Sequence, residues 1–600
     1  MTVHKRESPG SLAAWDRRTL LREGAGLLNG VSRSRDLRAA RNRLLANVAT
    51  TFTSLSRRQT ATHDLIRARD FASALTNILR TRSDERARFS VAAALWDLAA
   101  GRPRPDLREG FYAELIHLVR GLECRASFGF LVDAYVPRGR LGREAALARS
   151  DHLDKLWAVA DRWMSRYANG LNKNARDRRL KRQRHVLASL EGTASDWNNW
   201  RWHVRHLIRD EETLGRLTPL RREERDNIAR ARSAGLPFAI TPYYASLMDS
   251  KGLADRAIRA QVIPPADYIA AMADRRAGRQ GPCDFMQEAD TSPIDLVTRR
   301  YPAIAILKPF NACPQICVYC QRNWQIQQAM APDALASEQK IDAAIRWIKD
   351  HPALREILIT GGDPLALPDR QLHRIMSRLA EIDSLDVIRI GTRTPVTIPM
   401  RITPALAKML GSFREIGRRN VAIVTHVEHP YEITPDMAAA VDRLRRAGLT
   451  VYNQQVFTFY VSRRFESALL RMLLCRIGIS PYYTFVPQGK EETASYRVPV
   501  ARILQERKEE AQLLPGLRRT DEPVYNVPGL GKNYVRATQH HNILSILPNG
   551  ARVYEFHPWE KNVAPCHSYV MQDVPILDYL TRLAQIGEDP ADYDSIWYYF

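Results

Sequence analysis

Nowhere in these 600 residues do about twenty apolar side chains run uninterrupted, the length a bilayer-spanning helix needs. The opening residues hold no apolar run either, being broken by Lys5, Arg6, Glu7 and Asp16, so no secretory leader is expected. Cysteine is scarce: seven in all, an odd number, with three of them inside one eight-residue stretch. In a large chain without a leader, such a cluster speaks for metal and against a disulfide framework. The scattered Cys124, Cys283, Cys475 and Cys566 read as buried free thiols. No repeat of fixed period is visible. These absences leave a soluble, cytoplasmic protein with no membrane partner as the expectation.

What is present fits a globular chain: 45% hydrophobic and 8% aromatic residues, over a length that calls for two to four domains. The net charge of +23 is uneven. Residues 1–195 hold 37 Lys and Arg against 20 Asp and Glu, or +17, which leaves +6 for the remainder. Such an excess can mark a nucleic-acid or acidic-protein surface. It is almost all arginine and is spread along the segment, KNARDRRLKRQR at 173–184 excepted, so a solvated helical surface accounts for it as well.

Between residues 37 and 190 apolar side chains recur at three- and four-residue steps, as at Phe71, Leu75, Ile78 and Leu79, which predicts a helical extension over 1–195. A connector segment over 196–300 follows, with Trp197, Trp200 and Trp202 near its start and proline-rich joints after them. From residue 303 the texture changes. Short β-branched runs at 303–307, 356–360, 387–391, 421–426, 450–456 and 482–486 alternate with helical patterns at 337–349, 369–382, 404–410, 435–447 and 464–477. That alternation implies right-handed βαβ units and a parallel sheet. The fold class expected is α/β: a partial (β/α)6 TIM-like barrel over 301–490, open at one side, with a helical N-terminal extension. A C-terminal segment over 491–600 carries a hairpin, 543–546 with 553–556, about Pro548-Asn549-Gly550.

The cysteine cluster, CPQICVYC at 313–320, directly follows the first strand and so lies at the C-terminal mouth of the barrel. Cys313, Cys317 and Cys320 can hold three irons of a four-iron cluster, the missing fourth ligand leaving one iron open. A structural zinc site would want a fourth Cys or His nearby, and the loop has none.

CxxxCxxC after the first strand of a partial barrel resembles the radical S-adenosylmethionine (SAM) superfamily, in which SAM completes the open iron. ITGGDP at 359–364, ending the second strand, is similar to the family's glycine-rich motif. Within the superfamily the chain resembles the lysine 2,3-aminomutases from about Trp197 to beyond Tyr554. The resemblance rests on ITPYYASLMD at 240–249, IRAQVIP at 258–264, RRYPAIAIL before the cysteines, IRIGTRTPVTIPMRITP at 388–404, THVEHPYEITP at 425–435, NQQV from Asn453 and PGLGKNYV at 528–535.

The resemblance implies roles by position. Cys313, Cys317 and Cys320 hold a 4Fe-4S cluster, Tyr319 lies against the adenine of SAM, and Gly361, Gly362, Asp363, His426 and Gln454 contact the same molecule. Arg322 clamps the α-carboxylate of a free amino acid, a bidentate task suited to a planar guanidinium. Lys532 is the Schiff-base lysine of pyridoxal 5′-phosphate (PLP), with Arg300 and Tyr482 on that cofactor's side; Gly529 and Gly531 permit the tight backbone path of its turn. The C-terminal segment is thus also the one carrying the PLP lysine. The implied enzyme is an isomerase moving an α-amino group to the β-carbon, after a 5′-deoxyadenosyl radical has taken hydrogen from that carbon. A flavodoxin- or ferredoxin-like protein would supply the electron, and the assembly would be a homo-oligomer.

The sequence departs from the lysine enzymes where the substrate side chain would sit. Two aspartates that meet lysine's ε-ammonium align with Gln488 and Asn526, while Lys490 is left to meet a side-chain carboxylate. The expectation is a substrate other than lysine, glutamate-like or polar and neutral. The PLP-lysine turn is one residue shorter than the family's, and Cys566 stands alone where the family has a metal-binding cysteine cluster. His429, before Pro430, reads as structural. A different class of activity remains compatible: modification of a tRNA or protein docked by the basic extension. A structural iron–sulfur protein without catalysis is disfavoured by Arg322 and Lys532.

Overall fold

The computed structural model describes residues 15–57, 60–126, 139, 141–249, 255–281, 283–536, 541–557 and 568–600. The chain forms two compact units. One is residues 154–497 with 513–531; the other gathers 1–153, 498–512 and 532–600.

The first of these is built on a parallel sheet. A two-residue strand, β1 (Val297–Thr298), runs antiparallel to β2 (Ile304–Phe310). After it come β3 (Glu356–Gly361), β4 (Val387–Gly391), β5 (Asn420–Thr425), β6 (Thr450–Val456), β7 (Ser480–Val486) and β8 (Glu522–Val527), each parallel to its predecessor. Seven parallel strands therefore replace the six read from the sequence. The additional strand, EPVYNV, lies beyond the 301–490 limit and follows a helix that belongs to the other unit, so no strand–helix spacing announced it. Neighbours follow chain order, and among the described residues no pairing closes the sheet into a full barrel.

Each strand's alternation sorts its side chains. Ala305, Leu307, Ile357, Ile359, Ile388 and Ile390 are buried in one core with the helices. Residues between them, such as Lys308, Glu356 and Arg389, stand half-buried on the opposite face. Helices Glu338–Lys349, Asp369–Ala380, Pro404–Gly411, Pro435–Arg446 and Glu466–Arg476 cover the sheet close to where the periodicity put them. Their apolar faces follow i, i+3, i+4, i+7 spacing, as in Met437, Ala440, Val441 and Leu444. Two begin alike: Thr403 and Thr434 cap the backbone N–H of Leu406 and Met437, and the proline after each presets the first helical φ.

The other unit packs Leu37–Arg57, Thr62–Ile78, Val91–Ala99 and Glu109–Leu122 with an antiparallel sheet, β10 (His541–Ile546), β11 (Arg552–Phe556) and β12 (Tyr569–Gln572). The hairpin expected about Pro548-Asn549-Gly550 is β10–β11. Its turn is locked onto a helix start: Arg108 N–H donates to Pro548 O at 2.8 Å, and a Cβ on Gly110 would lie 2.5 Å from Asn549 O. Buried Arg552 donates to both oxygens of Glu114 at 3.0 Å, and Arg82 and Arg86 donate to Glu555. The segments read as 1–195 and 491–600 are thus partitioned differently: the N-terminal helices share a unit with the C-terminal sheet, and residues 154–195 fall with the barrel. Local periodicity reports which face of a helix is apolar and not which distant strand covers it. Cys566 lies outside the described residues. No helix among them is long and apolar enough to cross a membrane.

Candidate active site

The loop after β2 carries Cys313, Cys317 and Cys320, all half-buried, and is tied down from several sides. Ile316 N–H donates to Ala239 O at 3.1 Å and Val318 N–H to Gln261 O at 2.9 Å, which fixes the loop on the segments bearing ITPYY and RAQVI. From β3, Gly362 N–H reaches Phe310 O at 2.7 Å and Asp363 N–H reaches Ala312 O at 2.9 Å. Both glycines of this clasp are obligatory. Gly361 has φ +110°, and a Cβ on Gly362 would fall 2.1 Å from Ala312 O.

Burial pushes the Cys313 thiol well above its usual pKa, with Asp363 and the other two cysteines adding to the effect, so the three sulfurs share one neighbourhood. Cys317 rises to about 11 by burial, despite Arg393. Arg393 Nη1 lies 2.9 Å from Cys317 Sγ, and the Arg322 N–H donates to Cys320 Sγ at 3.4 Å. Sulfur held against a guanidinium and a peptide N–H suits a thiolate, the form that binds iron. Among the described residues no three His, Cys, Asp or Glu side chains converge on the place of a single ion. Thiolates that each bind a different iron need not converge so, and the set fits a cluster better than zinc.

Arg393, on the loop after β4, was not singled out by the sequence, although its motif was. Its Nε donates to His426 O at 3.1 Å and its Nη2 to Glu432 at 2.7 Å and to Gln261. It ties the ends of β4 and β5 and the Gln261 segment to the cysteine loop. Asp363 makes a second tie. Its carboxylate accepts Thr392 Oγ1 (2.6 Å), Leu365 N (3.1 Å), Arg393 N (2.9 Å) and Thr394 Oγ1 (3.0 Å), so the side chain is committed to bracing β3 against β4. Glu428, also passed over inside THVEHP, accepts from Tyr319 OH at 3.1 Å and Val456 N at 2.6 Å; burial lifts its carboxyl to about 8. His426, half-buried at the end of β5, is held neutral, its pKa lowered to about 4 by burial and then by Arg393. Gln454 is half-buried on neighbouring β6. His429 is structural: its Nδ1 accepts Tyr431 N–H and its Nε2 pairs with Glu466 at 2.9 Å.

Room for SAM is consistent with this mouth. Gln315, buried within the cysteine loop, has no hydrogen-bond partner for either amide atom among the described residues, and Thr425 Oγ1 at the end of β5 is likewise unmet.

Some of the residues aligned with substrate and PLP roles, Arg322 and Arg300 among them, meet the segment 285–288. Arg322 Nη1 faces Glu288 Oε2 at 2.7 Å, and Lys308 Nζ reaches the same oxygen at 3.3 Å. Arg300 donates to Met286 O and keeps its Nη1 buried without a hydrogen-bond partner, capacity that suits an anionic group such as a phosphate. Gly529 N–H donates to Phe285 O at 3.0 Å. Tyr482 accepts from Arg389 at 3.0 Å. Gln488 and Asn526 are both buried, and Gly489 packs close to Asn526 O. Lys532 lies on the short strand β9 (Gly531–Tyr534), at the start of the last stretch of the other unit.

Lys490 corrects the sequence reading. Expected to be free for a substrate carboxylate, it is buried and donates to Cys320 O (2.7 Å), Asn323 Oδ1 (2.8 Å) and Val318 O (3.3 Å). A lysine two residues from an aligned pocket position turns to the opposite side of a loop when the backbone reverses, as it does at Gly489, φ +94°.

Comparison with known proteins agrees with this geometry. Residues 307–461 match the radical SAM superfamily. A protein of Methanocaldococcus jannaschii described as an uncharacterised KamA family protein is 45% identical over 547 residues, 87% of each chain. The glutamate 2,3-aminomutase of Clostridioides difficile is 35% identical over 323 residues, 53% of this chain and 72% of that one. The L-lysine 2,3-aminomutase of Acetoanaerobium sticklandii is 33% identical over 364 residues, covering 58% and 82%. A three-cysteine loop braced at the mouth of a parallel, unclosed barrel, in a chain with these relatives, belongs to the lysine 2,3-aminomutase (KamA) family of the radical SAM superfamily.

Proposed function

We propose that this protein is a PLP-dependent radical SAM aminomutase that moves the α-amino group of a free amino acid other than lysine to its β-carbon. The observation that carries the reading is the braced loop of Cys313, Cys317 and Cys320, with a guanidinium on one sulfur and a glycine clasp beside it. The cluster with SAM supplies a radical able to abstract hydrogen, and PLP supplies a way to stabilise the migrating nitrogen.

The chain's own residues hold, orient and exclude. The three cysteines hold the cluster, and Gly361 and Gly362 let the end of β3 close against the start of the cysteine loop. Arg322 orients a carboxylate: the Glu288 oxygen at 2.7 Å marks where an acidic group is already welcome, and a substrate carboxylate competes for it. Arg300 serves the phosphate of PLP and Lys532 its aldehyde. His426, held neutral, can accept or donate a hydrogen bond without adding charge next to SAM.

Side-chain selection falls to Gln488 and Asn526. Burying an ammonium beside neutral amides costs several kcal/mol more than beside carboxylates, so lysine is disfavoured. Lys490 no longer argues for an acidic substrate. The amides accept a polar neutral or an acidic side chain, and the likeness to a glutamate enzyme supports the acidic one. Anaerobic reconstitution with iron, sulfide, SAM and PLP, followed by turnover of lysine, glutamate, glutamine and arginine, tests the proposal. Glutamate or glutamine should give the β-isomer fastest; lysine as the fastest of the four would overturn the pocket assignment.

A further inference from the structure

We infer that Lys490 is a positioning residue of the iron–sulfur site: a buried cation beneath the cysteine loop that fixes the turn 318–320 and holds the cluster's reduction potential up. The inference rests on the three cysteines holding a cluster.

Three acceptors surround Nζ: Cys320 O at 2.7 Å, Asn323 Oδ1 at 2.8 Å and Val318 O at 3.3 Å. An ammonium has three N–H donors and no acceptor, whereas a neutral amine has two donors and a lone pair. Three acceptors around one nitrogen match the three N–H bonds of the ammonium and hold the charge against the burial that lowers the lysine's pKa. The ammonium also lies 5.4 Å from the centroid of the Tyr268 ring, close enough for a cation–π contact.

Asn323 doubles the device. With its Oδ1 turned to Lys490, its Nδ2 shares two N–H bonds among Cys317 O (3.0 Å), Val318 O (3.0 Å) and Tyr268 OH (2.8 Å). The carbonyls of three of the four residues 317–320, those of 317, 318 and 320, are thus gathered by one ammonium and one amide. Pinning those carbonyls to one side fixes the backbone from which the Cys317 and Cys320 side chains leave.

The charge has its own consequence. Reduction adds an electron to a cluster bound by anionic thiolates. A cation held in a low-dielectric place near one of those ligands favours the reduced state more than the oxidised one. Arg393 adds a second buried cation, directly on Cys317 Sγ. Lys490 is the more informative of the two, because its ammonium meets the turn, Asn323 and the Tyr268 ring and not the strand ends that Arg393 ties together.

The test uses the full-length protein reconstituted anaerobically with iron and sulfide, and reads the cluster by EPR during a redox titration without substrate. Lys490→Met keeps the length of the side chain and removes charge and donors. Lys490→Gln keeps an amide donor on a side chain one bond shorter and removes the charge. Both variants should bind iron and sulfide as the unaltered protein does and titrate at a more negative midpoint, with Gln no closer to wild type than Met. Lys490→Arg, which keeps the charge, should restore the midpoint at least in part. Midpoints unchanged in both neutral variants would overturn the inference, and so would a shift in Met that Gln fully reverses, since position alone would then suffice. If Met does not hold a cluster, Gln decides; loss of the cluster in both assigns Lys490 a purely structural part and overturns the redox role. An unaltered protein that takes up no iron at all would overturn the proposed function with it.

Discussion

Replacing Asp363 by Asn should loosen the join between the cysteine loop and β4 without enlarging any side chain. The carboxylate accepts four bonds, two at each oxygen, and each oxygen meets one backbone N–H, from Leu365 or Arg393, and one threonine hydroxyl. An amide keeps one oxygen. Its NH2 must face the other pair, where the hydroxyl can turn to accept but the peptide N–H cannot. One buried N–H is orphaned, at about 1–3 kcal/mol, and the surviving bonds lose charge assistance, about 1 kcal/mol more. Burial raises the carboxyl's pKa above its usual value, so the amide regains part of the cost of hiding a charge. A net local loss of about 1–3 kcal/mol remains. Hydrogen exchange followed by mass spectrometry should show peptides spanning 361–366 or 390–396 exchanging roughly tenfold to a hundredfold faster, each tenfold being about 1.4 kcal/mol. Exchange at the wild-type rate in both peptides would show that the four bonds do not brace this join.

Other outcomes follow from the site. Cys317→Ala should abolish the four-iron EPR signal and 5′-deoxyadenosine release; full iron occupancy with continued cleavage would remove Cys317 from the ligand set. Lys532→Ala should lose the PLP that borohydride fixes covalently in wild type, and a trapped cofactor in the variant would point to another lysine. Glu428 titrates at about 8 in the folded protein against an ordinary 4.5, so the fold binds a proton that the unfolded chain releases between those values. Its contribution is full below about pH 4.5 and is lost as pH rises through about 8. Glu428→Gln should therefore lose less stability than wild type in urea melts of the apoprotein between about pH 6 and pH 9, and parallel slopes would contradict the assignment.

Much of the barrel was legible because its signals are local. Strands 387–391 and 450–456 were read to the residue, and the helical patterns at 404–410 and 435–447 begin where their helices begin. The cysteine triad and the glycine clasp were legible for the same reason: spacing within one loop is a property of the sequence. What escaped depends on contacts between distant segments. EPVYNV looks like any short apolar run until β7 pairs with it. Arg393 and Glu428 stood inside quoted motifs, but only the approach of 244, 261 and 432 to the cysteine loop makes the first a hub, and only Tyr319 makes the second a buried acid. Lys490 carried the right charge toward the wrong partner, since a sequence does not say to which side a side chain leaves a turn.

Because one unit is assembled from stretches separated by the barrel, its completion is tied to the order of synthesis. Helix Glu109–Leu122 leaves the ribosome about 420 residues before β10, the strand that follows the barrel in the chain. At roughly 5–20 residues per second that is a wait of about 20–80 seconds. During it the early helices can meet one another, yet Glu114 has no Arg552 and Gly110 has no Asn549 to close upon. The barrel strands β2 to β8 are all translated within that interval. A nascent chain stalled or cleaved after residue 531 would carry a finished barrel and a half-made unit with its apolar helix faces uncovered. Chaperone capture and proteolysis would therefore act first on the N-terminal helices, although the missing residues lie at the other end of the chain.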